Sequence, residues 1–133
     1  MDDKKNELIK KSKILLEYFL ETHPFKWIDG QYYNITKEKQ NLLAEKISLY
    51  NAAKNLNVDY ELTWNSSGDV NKIWSINDLV QLATDIQNYI APLILYQQNY
   101  ELTVKKIQTI DELNALKCNY YDIYSEQENE EKK

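Results

Sequence analysis

The chain contains no arginine, two glycines, two prolines, one cysteine and one histidine. Each scarcity removes a class of function. All 16 basic residues are lysines, set against 21 acids, for a net charge of -5. That field repels a polyanion, and the bidentate guanidinium that reads bases and phosphates is missing, so no nucleic-acid partner is expected. The two glycines, Gly30 and Gly68, are isolated and cannot form a glycine-rich phosphate loop. Lone Cys118 allows no intrachain disulfide and, far from His23 in sequence, makes no zinc ligand set; it reads as a small apolar filler. His23 stands beside Pro24, where a helix-end role fits better than that of a base in a nucleophile pair. Asp59 and Glu61 share one strand face, as many solvated carboxylates do. No catalytic residue, metal site or cofactor is therefore expected, and the chain reads as a non-enzyme. No run approaches ~18 uninterrupted apolar residues, and the opening MDDKKNELIKK is too charged for a signal peptide. No membrane association is expected, and a cytoplasm is the expected place of synthesis.

The chain does hold one long periodic stretch, Ser75 to Ile107. Leu79, Ala83, Ile86, Ile90, Leu93, Gln97, Tyr100, Val104 and Ile107 recur in alternating steps of four and three. That is a heptad seam with one polar break, Gln97. A second stripe of Val80, Leu82, Tyr89, Ile94, Leu95 and Tyr96 widens the apolar face, which predicts burial on most sides before Gln97 and on one side after it. Ser75 and Asp78 form a capping start. Pro92 removes the amide that would bond the Asn88 carbonyl, which predicts a kink or a break. Unbroken, the helix would be about 48 Å long, whereas a compact domain of this size is about 36 Å across. The seam therefore either folds back on its own chain or pairs between chains as a homo-oligomer, with Leu79, Ala83, Ile86, Ile90, Leu93, Tyr100, Val104 and Ile107 as the contact row.

Residues 3–22 predict a first helix, ended by Pro24. Phe25 to Ile35 reads as a hairpin turning at Asp29-Gly30. Thr36 caps a second helix over Lys37 to Asn55. Val58, Tyr60, Leu62 and Trp64 alternate with polar residues and predict a strand, answered by Val70 to Trp74 across a loop at Asn65 to Asp69. The two hairpins could join in one small sheet. Thr109 to Glu112 caps a last helix over 110–117. The expected fold is mainly α with a small antiparallel β element (α+β): a long Pro-kinked helix packed on two N-terminal helices and a short β-sheet or hairpin. Residues 1–124 are expected to form a single domain, with 125–133 a disordered acidic tail. The rings of the β region, Trp27, Tyr32, Tyr33, Tyr60, Trp64 and Trp74, either cover the helical core or form a contact patch for a partner or a glycan.

The segments AEKISLYNAAKNLNV, VDYELTW, WSINDLVQLATDIQNYI and YELTVKKIQTIDELNAL follow one another between Gln40 and Asn119. In that order they resemble an uncharacterised domain family of tailed-phage proteins associated with tail fibres and tail tips. The telling parts are the tryptophan with a Ser-capped helix after it and the Thr-capped ending with Glu112-Leu113. WIDGQYYNITKEKQNLL, upstream, looks like the glycine-aromatic hairpin of stand-alone versions. The resemblance implies a non-enzymatic bacteriophage or prophage tail protein, an accessory or assembly component that binds another protein and could end in the virion tail. It brings no catalytic residues with it. The alternative is a small phage-encoded inhibitor of a host defence protein, for which an acidic surface can imitate nucleic acid.

Overall fold

The computed structural model describes residues 1–124. The acidic stretch 125–133, expected as a disordered tail, lies outside the described residues. The element order is α1 (Asp2–Thr22), β1 (Phe25–Lys26), β2 (Tyr32–Tyr33), α2 (Lys37–Asn55), β3 (Thr63–Trp64), β4 (Lys72–Ile73), α3 (Ile76–Lys106) and α4 (Ile110–Ala115). The protein is thus mainly α with a small antiparallel β element, as the sequence predicts. Contacts group the chain into two compact units, one of residues 1–19 with 90–133 and one of residues 20–89. α1 and α3 contribute to both.

The first unit pairs most of α1 with the second half of α3. Val104 and Leu113 are almost fully buried with Tyr100, and Leu8, Ile9, Ile107 and Leu116 pack against them. Its polar break is satisfied internally. Gln97 Nε2 donates to Ser12 Oγ at 3.3 Å and to Glu101 Oε2 at 3.2 Å. Ser12 Oγ donates to the Ile9 carbonyl at 2.6 Å, and the Tyr120 hydroxyl donates to the Ser12 carbonyl at 2.6 Å. Among the described residues no buried side-chain nitrogen or oxygen lacks a partner, which is what makes a polar seam position tolerable in a core.

The second unit sets α2 and the start of α3 under two hairpins. Thr36 Oγ1 accepts from the Lys39 amide at 3.2 Å and starts α2. Ser75 Oγ accepts from the Asp78 amide at 3.1 Å and starts α3. Ile35, Leu43, Leu62, Leu79, Leu82 and Ile86 are buried. Gln87 Nε2 on α3 donates to Gln40 Oε1 on α2 at 3.1 Å, and Gln40 Nε2 donates to the Ile35 carbonyl at 2.9 Å.

Of the kink or break expected at Pro92, the break is absent, since α3 is continuous there. Asn88 and Pro92 are both exposed, so water can replace the missing amide at the freed carbonyl. The seam faces the protein's own interior: Leu79, Leu93 and Val104 have 0 % exposure, and Ile86, Ile90 and Tyr100 are buried, with Ala83 and Ile107 half-buried. The second stripe is less buried than predicted, since Val80, Ile94 and Leu95 are exposed. The β ladders form two separate two-stranded sheets, not one. No ladder joins them; the Ser67 amide donates to the Tyr32 carbonyl at 2.7 Å, and Trp74 packs against Trp27 and Tyr33.

The strand expected from Val58 is only Thr63–Trp64. Val58 belongs to the helix stop instead. Its amide donates to the Ala53 carbonyl at 2.9 Å, and the Asn57 amide to the Lys54 carbonyl at 3.2 Å. Asn57 sits at φ 55. That pair of bonds around a left-handed residue is a Schellman stop, and it holds Val58 in the exit of α2. α4 also ends earlier than expected, at Ala115.

Candidate functional site

The two hairpins and the first turn of α3 surround a cleft of about 420 Å³. All three tryptophans of the chain line it, together with Tyr33. The rings reach it from three places in the sequence. Trp27 follows β1 and opens the turn of the first hairpin, where Gly30 sits at φ 81 and the Trp27 amide donates across the turn to the Gln31 carbonyl at 3.0 Å. The turn is therefore a three-residue loop with a left-handed glycine, one residue longer than the two-residue turn that Asp29-Gly30 signals. Trp64 ends β3, and Trp74 follows β4, its amide donating to the Leu62 carbonyl at 2.9 Å.

Three of the rings lean on one another. Trp27 and Trp74 are 5.5 Å apart between centroids, and Tyr33 meets them edge-on at 6.2 and 5.9 Å. Edge-to-face contact of this kind adds about 0.5–1.5 kcal/mol per pair beyond burial. Trp27 is fixed further by its indole nitrogen, which donates to Asp85 Oδ2 at 2.8 Å, and Gln81 Nε2 holds the other oxygen of Asp85 at 2.9 Å. Trp64 is buried. Lys39 and Lys46 place their ammonium groups 5.8 and 5.4 Å from its ring centroid, within cation–π range.

The polar side of the cleft is acidic. Asp29 Oδ2 accepts from the Tyr33 hydroxyl at 2.7 Å and Oδ1 from the Gln31 amide at 2.9 Å. Burial, then the bond to Asp29, pushes the Tyr33 phenol well above the usual tyrosine range. Asp69 pairs with Lys72 at 3.0 Å. That bond and the Val70 amide hold its carboxyl below the usual range. Asp78 stands on the first turn of α3.

Of the six rings singled out from sequence, Trp27, Tyr33, Trp64 and Trp74 meet in this cleft, whereas Tyr32 and Tyr60 are not among its lining residues. Tyr32 is exposed, and Tyr60 lines a separate groove with Tyr50, Lys54 and Asp59. Tyr33 and Trp64 are too buried to offer a face, so the accessible aromatic surface belongs to Trp27 and Trp74, both half-buried. The acidic partners were not singled out in sequence. Asp29 reads there as turn chemistry, Asp69 as loop chemistry and Asp78 as a cap.

Elsewhere, His23 Nδ1 lies 2.9 Å from Thr22 Oγ1 at the end of α1. Cys118 is half-buried beside Tyr100, and burial pushes its thiol up. Among the described residues no three His, Cys, Asp or Glu side chains gather as a metal site, and no helix is long and apolar enough to cross a membrane. No family model, curated protein or solved structure matches the chain.

Proposed function

We propose that the chain is a non-enzymatic tail-associated protein of a bacteriophage or prophage, an accessory or assembly component of the tail fibre or tail tip, acting by protein–protein binding. The tail setting rests on the resemblance of the segments between Gln40 and Asn119. The binding mode rests on one observation: every tryptophan in the chain lines a single cleft, and two of them keep accessible surface. Tryptophan and tyrosine dominate the energetics of protein interfaces because they bury a large area with few rotors.

The test is capture of tail proteins by the tagged chain from a lysate of phage-producing cells, run beside a Trp74→Ala variant checked for helicity by circular dichroism. Recovery of a tail component by the parent chain, and at least ~10-fold less by the variant, is the expected outcome, since losing one interface anchor costs about 2 kcal/mol or more. Normal tails from a gene deletion, with no tail protein captured, would sink the reading. Capture of a host defence protein instead would favour an inhibitor.

A further inference from the structure

The chemistry of the cleft narrows what can occupy it. We propose that it takes a cationic side chain, lysine or arginine, of the partner; this rests on the reading above that the cleft binds protein.

The first argument is charge. Asp29, Asp69 and Asp78 line the cleft against a single ammonium, Lys72. The start of α3 adds only about half a positive charge, within reach of its first turn. With Asp85 behind Trp27 and Lys39 and Lys46 over Trp64 also counted, four carboxylates stand against three ammonium groups, so the balance stays slightly negative and favours a cation over an anion. The second argument is the state of each carboxylate. Asp69 is engaged with Lys72, and both oxygens of Asp29 accept bonds from the hairpin itself. Among the described residues the Asp78 carboxylate has no partner, so it is the counter-ion left for an incoming charge.

The third argument is the rings. An indole of this protein already faces ammonium groups: Lys39 and Lys46 both lie over Trp64, Lys46 while donating to the Thr63 carbonyl at 2.9 Å. Trp27 and Trp74 have the same chemistry and keep their accessible surface beside the acidic rim. A cation between an indole face and a carboxylate gains from both. Lys72 then acts as the chain's own competitor at the rim. The volume, about 420 Å³, lies within the ~300–1,000 Å³ range of ligand clefts and suits one long side chain with its flanking backbone.

Because all three tryptophans line the cleft, intrinsic tryptophan fluorescence of the full chain reports on its occupancy. The probe is an acetylated, amidated Gly-Arg-Gly-Arg-Gly peptide, with citrulline in place of arginine as its neutral counterpart, titrated at about 20 mM and about 500 mM salt, where screening lengths differ several-fold. The expected result is a saturable change with the arginine peptide, several-fold weaker at high salt and absent with citrulline. Asp78→Asn should weaken binding about 3-fold or more, and Lys72→Gln should tighten it by a similar factor. An equal response to the citrulline peptide, a salt-independent response to a neutral oligosaccharide, or no saturable change in the folded protein would each overturn the assignment. If the peptide fails while Trp74→Ala still abolishes tail capture, the cation assignment falls and the protein-binding reading stands. If the peptide binds but Trp74→Ala leaves capture unchanged, the reverse holds.

Discussion

Each of the two units buries a tyrosine almost completely, and the two tyrosines do different things. In the unit of residues 1–19 and 90–133, Tyr120 donates its hydroxyl to the Ser12 carbonyl, beside Ser12 and Gln97, both buried. In the unit of residues 20–89, Tyr33 donates to Asp29, an exposed loop residue at the rim of the cleft. One phenol closes a sealed network between helices. The other stiffens a hairpin and supports two tryptophans whose surface stays accessible. The same residue type serves stability where its partner is a backbone carbonyl in the core, and shapes a site where its partner is a surface acid.

The sharpest way to break that comparison is through the seam that runs along α3. Leu79 lies in one unit and Leu93 in the other, each with 0 % exposure. Leu79→Ala and Leu93→Ala should each lower stability by about 2–5 kcal/mol, the usual range for a large-to-small change in a core. Urea denaturation measures it. A loss below ~1 kcal/mol at either site would mean that the residue is not part of a packed core in solution. Next in size come the phenols. Tyr120→Phe removes a hydrogen bond sealed from water, though the Ser12 carbonyl keeps its place in the helix ladder, and should cost about 1–1.5 kcal/mol, whereas Tyr33→Phe leaves a carboxylate that water can reach and should cost less, about 0.5 kcal/mol.

The same pair sets an alkaline limit. Burial raises both phenols well above the ordinary range. Below about pH 10 folded and unfolded chains both keep these protons. Above it the unfolded chain loses them while the folded chain retains them. The folded state then binds more protons, so stability is full below about pH 10 and falls as pH rises beyond it. Absorbance at the tyrosinate band should show a further rise when unfolding releases these phenols, and Tyr120→Phe should flatten the alkaline loss. An unchanged slope would mean that Tyr120 is not sealed in the folded state.

The helices were legible because their signals are local. Thr36 three residues before Lys39, and Ser75 three before Asp78, are caps that can be read without knowing the fold, and α2 spans Lys37–Asn55 as its cap and periodicity predict. The seam's periodicity was equally plain, but periodicity alone cannot say which surface a stripe faces. Whether Leu93 meets α1 or another chain depends on where Ser12 and Leu8 come to lie. The cleft was half legible. Its rings declare themselves by size, so Trp27, Tyr33, Trp64 and Trp74 could be singled out. Its acids come from a turn, a loop and a helix cap, each with a sufficient local explanation, and only the folded chain brings Asp29, Asp69 and Asp78 to one place.

The smallest effect concerns the strand expected from Val58. Strict alternation over Val58, Tyr60, Leu62 and Trp64 is a strand signal, but the residue before it settles the outcome. Asn tolerates the left-handed conformation better than other non-glycine residues, and at Asn57 it ends α2 with its own amide and that of Val58 turned back onto the helix carbonyls. Asn57→Ala should therefore cost about 1 kcal/mol, because a Cβ without a compensating polar group is strained at that φ. Asn57→Gly should stay within ~0.5 kcal/mol of the parent, since relief of strain is offset by a more flexible unfolded chain. Thermal unfolding of the two variants side by side resolves that difference. If alanine were as stable as glycine, Asn57 would not be the stop, and the alternation from Val58 would again need to be explained as a strand.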